Sequence, residues 1–273
     1  MLTTDSFQRP QDLSRAEDPA VLYAKSYLLI RSVLAFIGIL LPIAFIVGEA
    51  YFIDGGVQVR GSLSSYYHST MRDLFVAALA VTGFLLLTYM AGQRNTYDYW
   101  LSTAAGIAVL GVVFFPTTRP GVGSAPTCGT LPEPAGCSAM QQQLGEALTA
   151  KIHLVSAAIF VLSLAAIAFV YAHRERRYNA QPRLAAIQTV CGWVIVLAVV
   201  WVVLGNWVDL QIGPLTPLYV TEVVSVWAFG LSWLLTGRAL LARLIPGVKA
   251  PPLPTTPHEA ATPATGAGPA TYR

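Results

Sequence analysis

His153 and Glu222 are ionisable side chains set inside long apolar runs, where a charge without a partner or water is costly. Arg72 and Asp73 open a third such run. An imidazole oriented by a carboxylate is the usual pairing for acid–base work. In that scheme His153 is the acid/base or hydrogen-bond donor, and Glu222 or Asp73 orients it. Arg72 would hold an anionic head group, with His68, Tyr67 and Ser232 as further ligand contacts. His68, His153, Asp73 and Glu222 could also be arranged around zinc. The chain has 4 histidines and no His-x-x-x-His or comparable spacing, so no metal and no cofactor is expected.

Simpler roles stand beside these. In Ser62-Leu63-Ser64-Ser65-Tyr66-Tyr67-His68-Ser69-Thr70-Met71-Arg72-Asp73, Thr70 and Asp73 have capping-box spacing. Asp73 then serves the helix dipole, and Tyr66 and Tyr67 are interfacial aromatics. Arg72 could pair with Asp73 or reach the interface instead. Glu222, Ser225, Phe229, Ser232 and Thr236 form one stripe, and His153, Ser156, Phe160 and Ser163 another. Serines and threonines on such stripes more often let helices approach and bond across the contact. Asp98 has Arg94 at i−4, while Glu49 and Asp209 read as interfacial.

Six apolar runs must position these groups: Leu29–Ile53, Met71–Ala91, Tyr99–Pro116, Leu148–Tyr171, Leu184–Trp207 and Leu218–Leu241. About 20 apolar residues cross a hydrocarbon core about 30 Å thick at about 1.5 Å per residue. The runs lack period-2 alternation, which excludes a membrane barrel. The expected fold is therefore all-α, a polytopic bundle of six transmembrane helices. A composition of 55% hydrophobic and 11% charged residues agrees with this.

The net charge of +3 carries no nucleic-acid signal, because the basic residues follow membrane sidedness. With the N-terminus inside, His173-Arg174-Glu175-Arg176-Arg177 and most other cations are cytoplasmic; Arg60, Arg72, Arg119 and Lys151 are outside. Both termini are expected in the cytoplasm, in a cell-membrane protein whose first run is retained as an anchor and not cleaved as a signal peptide. Residues 1–28 read as a cytoplasmic segment, 29–245 as the membrane domain and 246–273 as a disordered Pro/Ala/Thr/Gly tail. Cys128 and Cys137 lie in the long outer loop, where a disulfide is favoured over a metal for want of a neighbouring His or further Cys. On this sidedness the second, fourth and sixth runs enter from the outer face and bring Arg72, Asp73, His153 and Glu222 to one depth.

The stretches Ser64-Ser65-Tyr66-Tyr67-His68, Met71-Arg72-Asp73, Phe115-Pro116-Thr117, the lone His153 and Phe229-Gly230-Leu231-Ser232-Trp233 resemble a bacterial family of six-span membrane proteins of unknown function. That family is distantly similar to the eukaryotic superfamily of the lysosomal DRAM proteins and the GPI-lipid-remodelling membrane proteins. The resemblance spans about residues 25–240 and implies a lipid-associated bundle, without carrying over any catalytic residue. The leading expectation is a protein that binds, and in a stronger form modifies, an amphipathic molecule at an outer-leaflet polar site. Its partners would be membrane lipids, with a membrane-protein partner or a second copy left open. A small-solute transporter or channel is the alternative, disfavoured by nearly apolar inner halves of the second, fourth and fifth runs. A non-catalytic membrane scaffold is the third. No nucleophile elbow, phosphate loop or dinucleotide fingerprint is present.

Overall fold

The computed structural model describes residues 19–52, 59–89, 96–120, 126–178, 181–208 and 215–244. The expected tails lie mostly outside these, as do the loop holding Asp54-Gly55-Gly56, Arg94 and Asp209. Among the described residues seven α-helices are formed: α1 Pro19–Phe52, α2 Arg72–Tyr89, α3 Tyr97–Phe114, α4 Ala139–Leu144, α5 Glu146–Arg177, α6 Pro182–Trp207 and α7 Pro217–Leu244. A 3-10 helix, Ser64–His68, lies between α1 and α2. Of these, α1, α3, α5, α6 and α7 are long and apolar enough to cross a membrane. The molecule is an α-helical, multi-pass membrane bundle.

The long helices form a ring. α3 packs against α2 and α5, α6 against α5 and α7, and α1 against α7, while the seam between α1 and α2 is sparser. Neighbours run antiparallel throughout, because contact partners move in opposite directions along the chain. Gly83 meets Leu110 as Gly106 meets Leu87; Gly38 meets Gly230 and Val226 as Gly237 meets Ser32. At Gly230 a Cβ would come within 2.9 Å of the Ala35 carbonyl, so only glycine permits this approach of α1 to α7. Small residues at such crossings substitute for the hydrophobic drive that lipid cannot supply.

The outside of the ring is apolar. The α1 and α6 spans each bury only 28% of their most apolar window, and Leu40, Val47, Phe84, Ile107, Leu162 and Val203 are exposed. Acyl chains are the solvent that makes such a surface stable. Exposed aromatics collect at both ends of the ring: Tyr51, Phe52 and Trp207 at one, Tyr97, Trp100 and Tyr178 at the other. This is the disposition of membrane-interface belts. We call these the Glu222 end and the Asp98 end.

At the Asp98 end the buried Asp98 ion-pairs with Arg174 across the α3–α5 contact. This partner lies on another helix, where packing holds the cation a buried carboxylate needs, while Arg94 lies outside the described residues.

Candidate functional site

The Glu222 end is closed by the chain itself. Ser62 turns the segment by accepting the Ser65 amide at 3.0 Å, and the Ser62 and Ser65 hydroxyls bond at 2.7 Å. Ser69 closes it: its hydroxyl donates to the Tyr66 carbonyl at 2.8 Å and accepts from the Met71 amide at 3.0 Å. Thr70 and Asp73 form no capping box; Ser69 holds the turn, while Thr70 and Asp73 are exposed. Local side-chain bonding of this kind competes well with regular helix, which is why a serine-rich stretch forms a short 3-10 turn here.

Glu222 fastens this cap to α7. Its carboxylate accepts the Leu63 amide at 2.5 Å and the Ser64 hydroxyl at 3.2 Å. Thr216, one residue before Pro217, accepts the Tyr219 amide at 3.0 Å and donates to the Gly61 carbonyl at 2.5 Å. It therefore caps α7 and anchors the segment with one hydroxyl. On the α1 side Glu49 is fully buried and paired with Arg60, whose Nε donates at 2.7 Å. Glu49 is thus buried within the protein as a member of the cap. The Tyr66 ring stacks on Phe45 at 4.7 Å with the Arg60 guanidinium 5.9 Å from its centroid. Burial, with Tyr219 beside it, pushes the Tyr66 phenol up to about 12, so it remains a protonated donor at neutral pH.

The histidines sit elsewhere. His153 Nδ1 lies 2.8 Å from the Phe115 carbonyl and His68 Nε2 lies 2.8 Å from the Thr117 carbonyl. A carbonyl only accepts, so each of these nitrogens carries the proton. The two rings tie down Phe115-Pro116-Thr117, where α3 ends. Gln141 adds a second donor to Thr117 at 3.0 Å, itself placed by the Ser138–Gln141 capping box that starts α4. Burial holds the His68 ring below its ordinary value. Neither histidine hydrogen-bonds a carboxylate, so the acid–base pair of His153 with Glu222 or Asp73 is not formed.

The charged residues of this second group are Arg119 and Glu146. The Glu146 carboxylate accepts the Arg119 amide at 2.7 Å, its guanidinium at 3.3 Å and the Cys128 amide at 3.3 Å. Cys128 and Cys137 form the disulfide of that loop. Arg72 is exposed; it donates to the Tyr67 hydroxyl at 2.8 Å and lies 4.5 Å from that ring's centroid. Ser232 is fully buried ten residues beyond Glu222, about 15 Å along α7 at the helical rise, and so lies at another depth.

Beneath the cap lies a cavity with about 100 Å³ of room for the centre of a water-sized sphere. Its wall is apolar: Leu34 and Leu41 of α1, Leu79 of α2, Val112 of α3, Ala157 and Phe160 of α5, and Val226 and Phe229 of α7 contribute. Ser64 and Glu222 stand at the cap, and Thr82 on α2 is the other polar lining residue. His153, one turn before Ala157, does not line it.

Residues 36–235 of the 273 match a protein family described as protein of unknown function (DUF998). The chain belongs to the DUF998 family. The match begins within α1 and ends within α7, so it takes in the whole cap and the named cavity lining other than Leu34. No curated protein and no solved structure matches the chain. Family membership therefore leaves the chemistry to the geometry.

Sequence reasoning missed Glu49, Arg60 and Glu146. The first two carried a usable signal: a carboxylate in an apolar run and a cation on the face that disfavours cations each call for a partner.

Proposed function

We propose that this DUF998 protein is a six-span cell-membrane protein, α2 being the sixth crossing, with both termini in the cytoplasm. Its proposed task is to bind an amphipathic lipid, with an acyl chain in the central cavity and the polar end against Glu222 and Ser64. The observation that carries this reading is the cavity itself: an apolar interior reaching five helices, with one carboxylate and one hydroxyl at a single end. A preformed apolar chamber with few convergent polar groups is the usual form of a small-ligand site. The loose α1–α2 seam offers a lateral route from the bilayer, because α1 and α2 both line the chamber. The distant similarity that the motifs imply between this family and the superfamily of the DRAM and GPI-lipid-remodelling proteins points the same way. Catalysis is not part of the proposal, since neither histidine bonds a carboxylate.

The test is native mass spectrometry of the purified protein against Ala157→Phe, which fills the chamber from α5. The wild type should retain lipid stoichiometrically, and the variant should lose it with an unchanged melting temperature. Equal retention by both, or none by either, would refute the reading.

A further inference from the structure

A second crevice, at the Asp98 end, lies on the outside of the ring between α5 and α6. Phe169, Ala172, His173 and Arg176 of α5 line it with Thr189 and Trp193 of α6, leaving about 330 Å³ of room for the centre of a water-sized sphere. Its shape follows from small residues. A Cβ at Gly192 would come within 2.8 Å of the Phe169 ring, so glycine lets that ring fold against α6. Trp193 stands edge-on to Phe169 at 5.5 Å and is 55% exposed, forming an aromatic wall. At the rim Thr189 accepts a hydrogen bond from Arg176 at 3.0 Å, which fixes the guanidinium over the crevice. His173 is exposed one turn earlier on the same helix.

The charge balance is one-sided. Arg176, Arg177 and Arg183 are exposed on this face. The carboxylates described at this end, Asp98 and Glu175, are both buried, and Asp98 is already paired with Arg174. No acidic residue lines the crevice. A cation and an imidazole sit above an aromatic floor that faces the bilayer. This matches a lipid whose head is anionic and whose chains lie along the helices.

We infer that the α5–α6 crevice is a binding site for an anionic phospholipid of the adjacent leaflet. Arg176 takes the phosphate as a planar donor, His173 supplies a second donor, and Trp193 and Phe169 pack against the first part of the chains. The site is separate from the central cavity and stands without it.

The experiment offers the purified full-length protein an equimolar mixture of phosphatidylglycerol and phosphatidylcholine and counts retained lipid by native mass spectrometry. The wild type should prefer phosphatidylglycerol at least fivefold, and His173→Gln/Arg176→Gln should fall to parity. Arg177→Gln/Arg183→Gln removes two neighbouring cations outside the crevice and should keep the preference. Ala157→Phe, which fills the central cavity, should keep it too. Parity in the wild type would overturn the site, as would equal loss in the Arg177/Arg183 variant, which would mark a diffuse basic surface. Loss in Ala157→Phe would assign the preference to the cavity. Displacement by millimolar inorganic phosphate alone would make the ligand a free anion and overturn the lipid assignment.

Discussion

Replacing Glu222 by alanine should release the cap without unfolding the bundle. The side chain accepts two hydrogen bonds from another part of the chain, at Leu63 and Ser64, both 7% exposed. Orphaning a buried amide costs about 1–3 kcal/mol. The Ser64 hydroxyl can turn toward another acceptor, so its loss adds less, about 0.5–1 kcal/mol. The cap should weaken by about 2–3 kcal/mol, which at about 1.4 kcal/mol per decade raises its open population roughly 30- to 150-fold. Glu222→Gln keeps an acceptor oxygen but gives up the charge assistance. Its cost should be about 1 kcal/mol, a roughly fivefold increase in opening.

Hydrogen exchange is the direct assay, because the Ser65, Tyr66 and Ser69 amides are protected by bonds made within the turn. Exchange across residues 62–72 should accelerate in the order wild type, Gln, Ala, while α6, which contributes nothing to the cap, stays unchanged. Equal exchange in wild type and Ala, or faster exchange in Gln than in Ala, would refute the reasoning. Acceleration across α6 as well would mean that Glu222 supports the whole bundle and not the cap alone.

Arg60→Met strands the fully buried Glu49 carboxylate and should lower stability by about 3 kcal/mol, the lower part of the range for broken buried pairs because Arg60 is 22% exposed. Arg60→Met/Glu49→Leu should recover most of the loss in thermal denaturation. Cys128→Ser/Cys137→Ser opens a loop with a sequence separation of 9 and should cost about 2.6 kcal/mol on the chain-entropy account, with faster exchange over residues 126–144. The pH dependence follows from His68: its folded-state pKa lies below the unfolded 6.5, so the unfolded chain binds more protons in between. Stability should be full above about 6.5 and fall as the pH drops through that window. His68→Gln, which keeps a donor for Thr117, should flatten that slope below about pH 6.5.

Apolar length made the helices legible, since a run of about 20 residues has few other uses. The connections between them were legible only where residue type dictates local geometry. Thr70 and Asp73 have the spacing of a capping box, yet Ser69 takes the role, because a preceding 3-10 turn puts its hydroxyl between Tyr66 and Met71. That turn depends on Glu222, which lies 159 positions from Leu63 in the chain. Spacing rules do not reach across such a distance. The cysteine pair was readable because so short a loop leaves few alternatives, and it forms as expected.

Lying toward one end of the bundle does not determine which neighbour a side chain faces. Around a ring of antiparallel helices, α7 and α5 carry these two residues toward one end and still address different partners: Glu222 the cap and cavity, His153 the end of α3. The difference lies in rotation about the helix axis, which small residues such as Gly230 and Gly111 set through the closeness of their contacts. Gly111 meets the Ser156 hydroxyl, so α3 sits tightly on α5 one turn from His153. A larger residue there would move the Phe115 carbonyl from His153 Nδ1 while leaving Glu222 untouched. Gly111→Ala should therefore speed exchange at residues 112–119 and spare the cap, which separates the two polar groups by experiment.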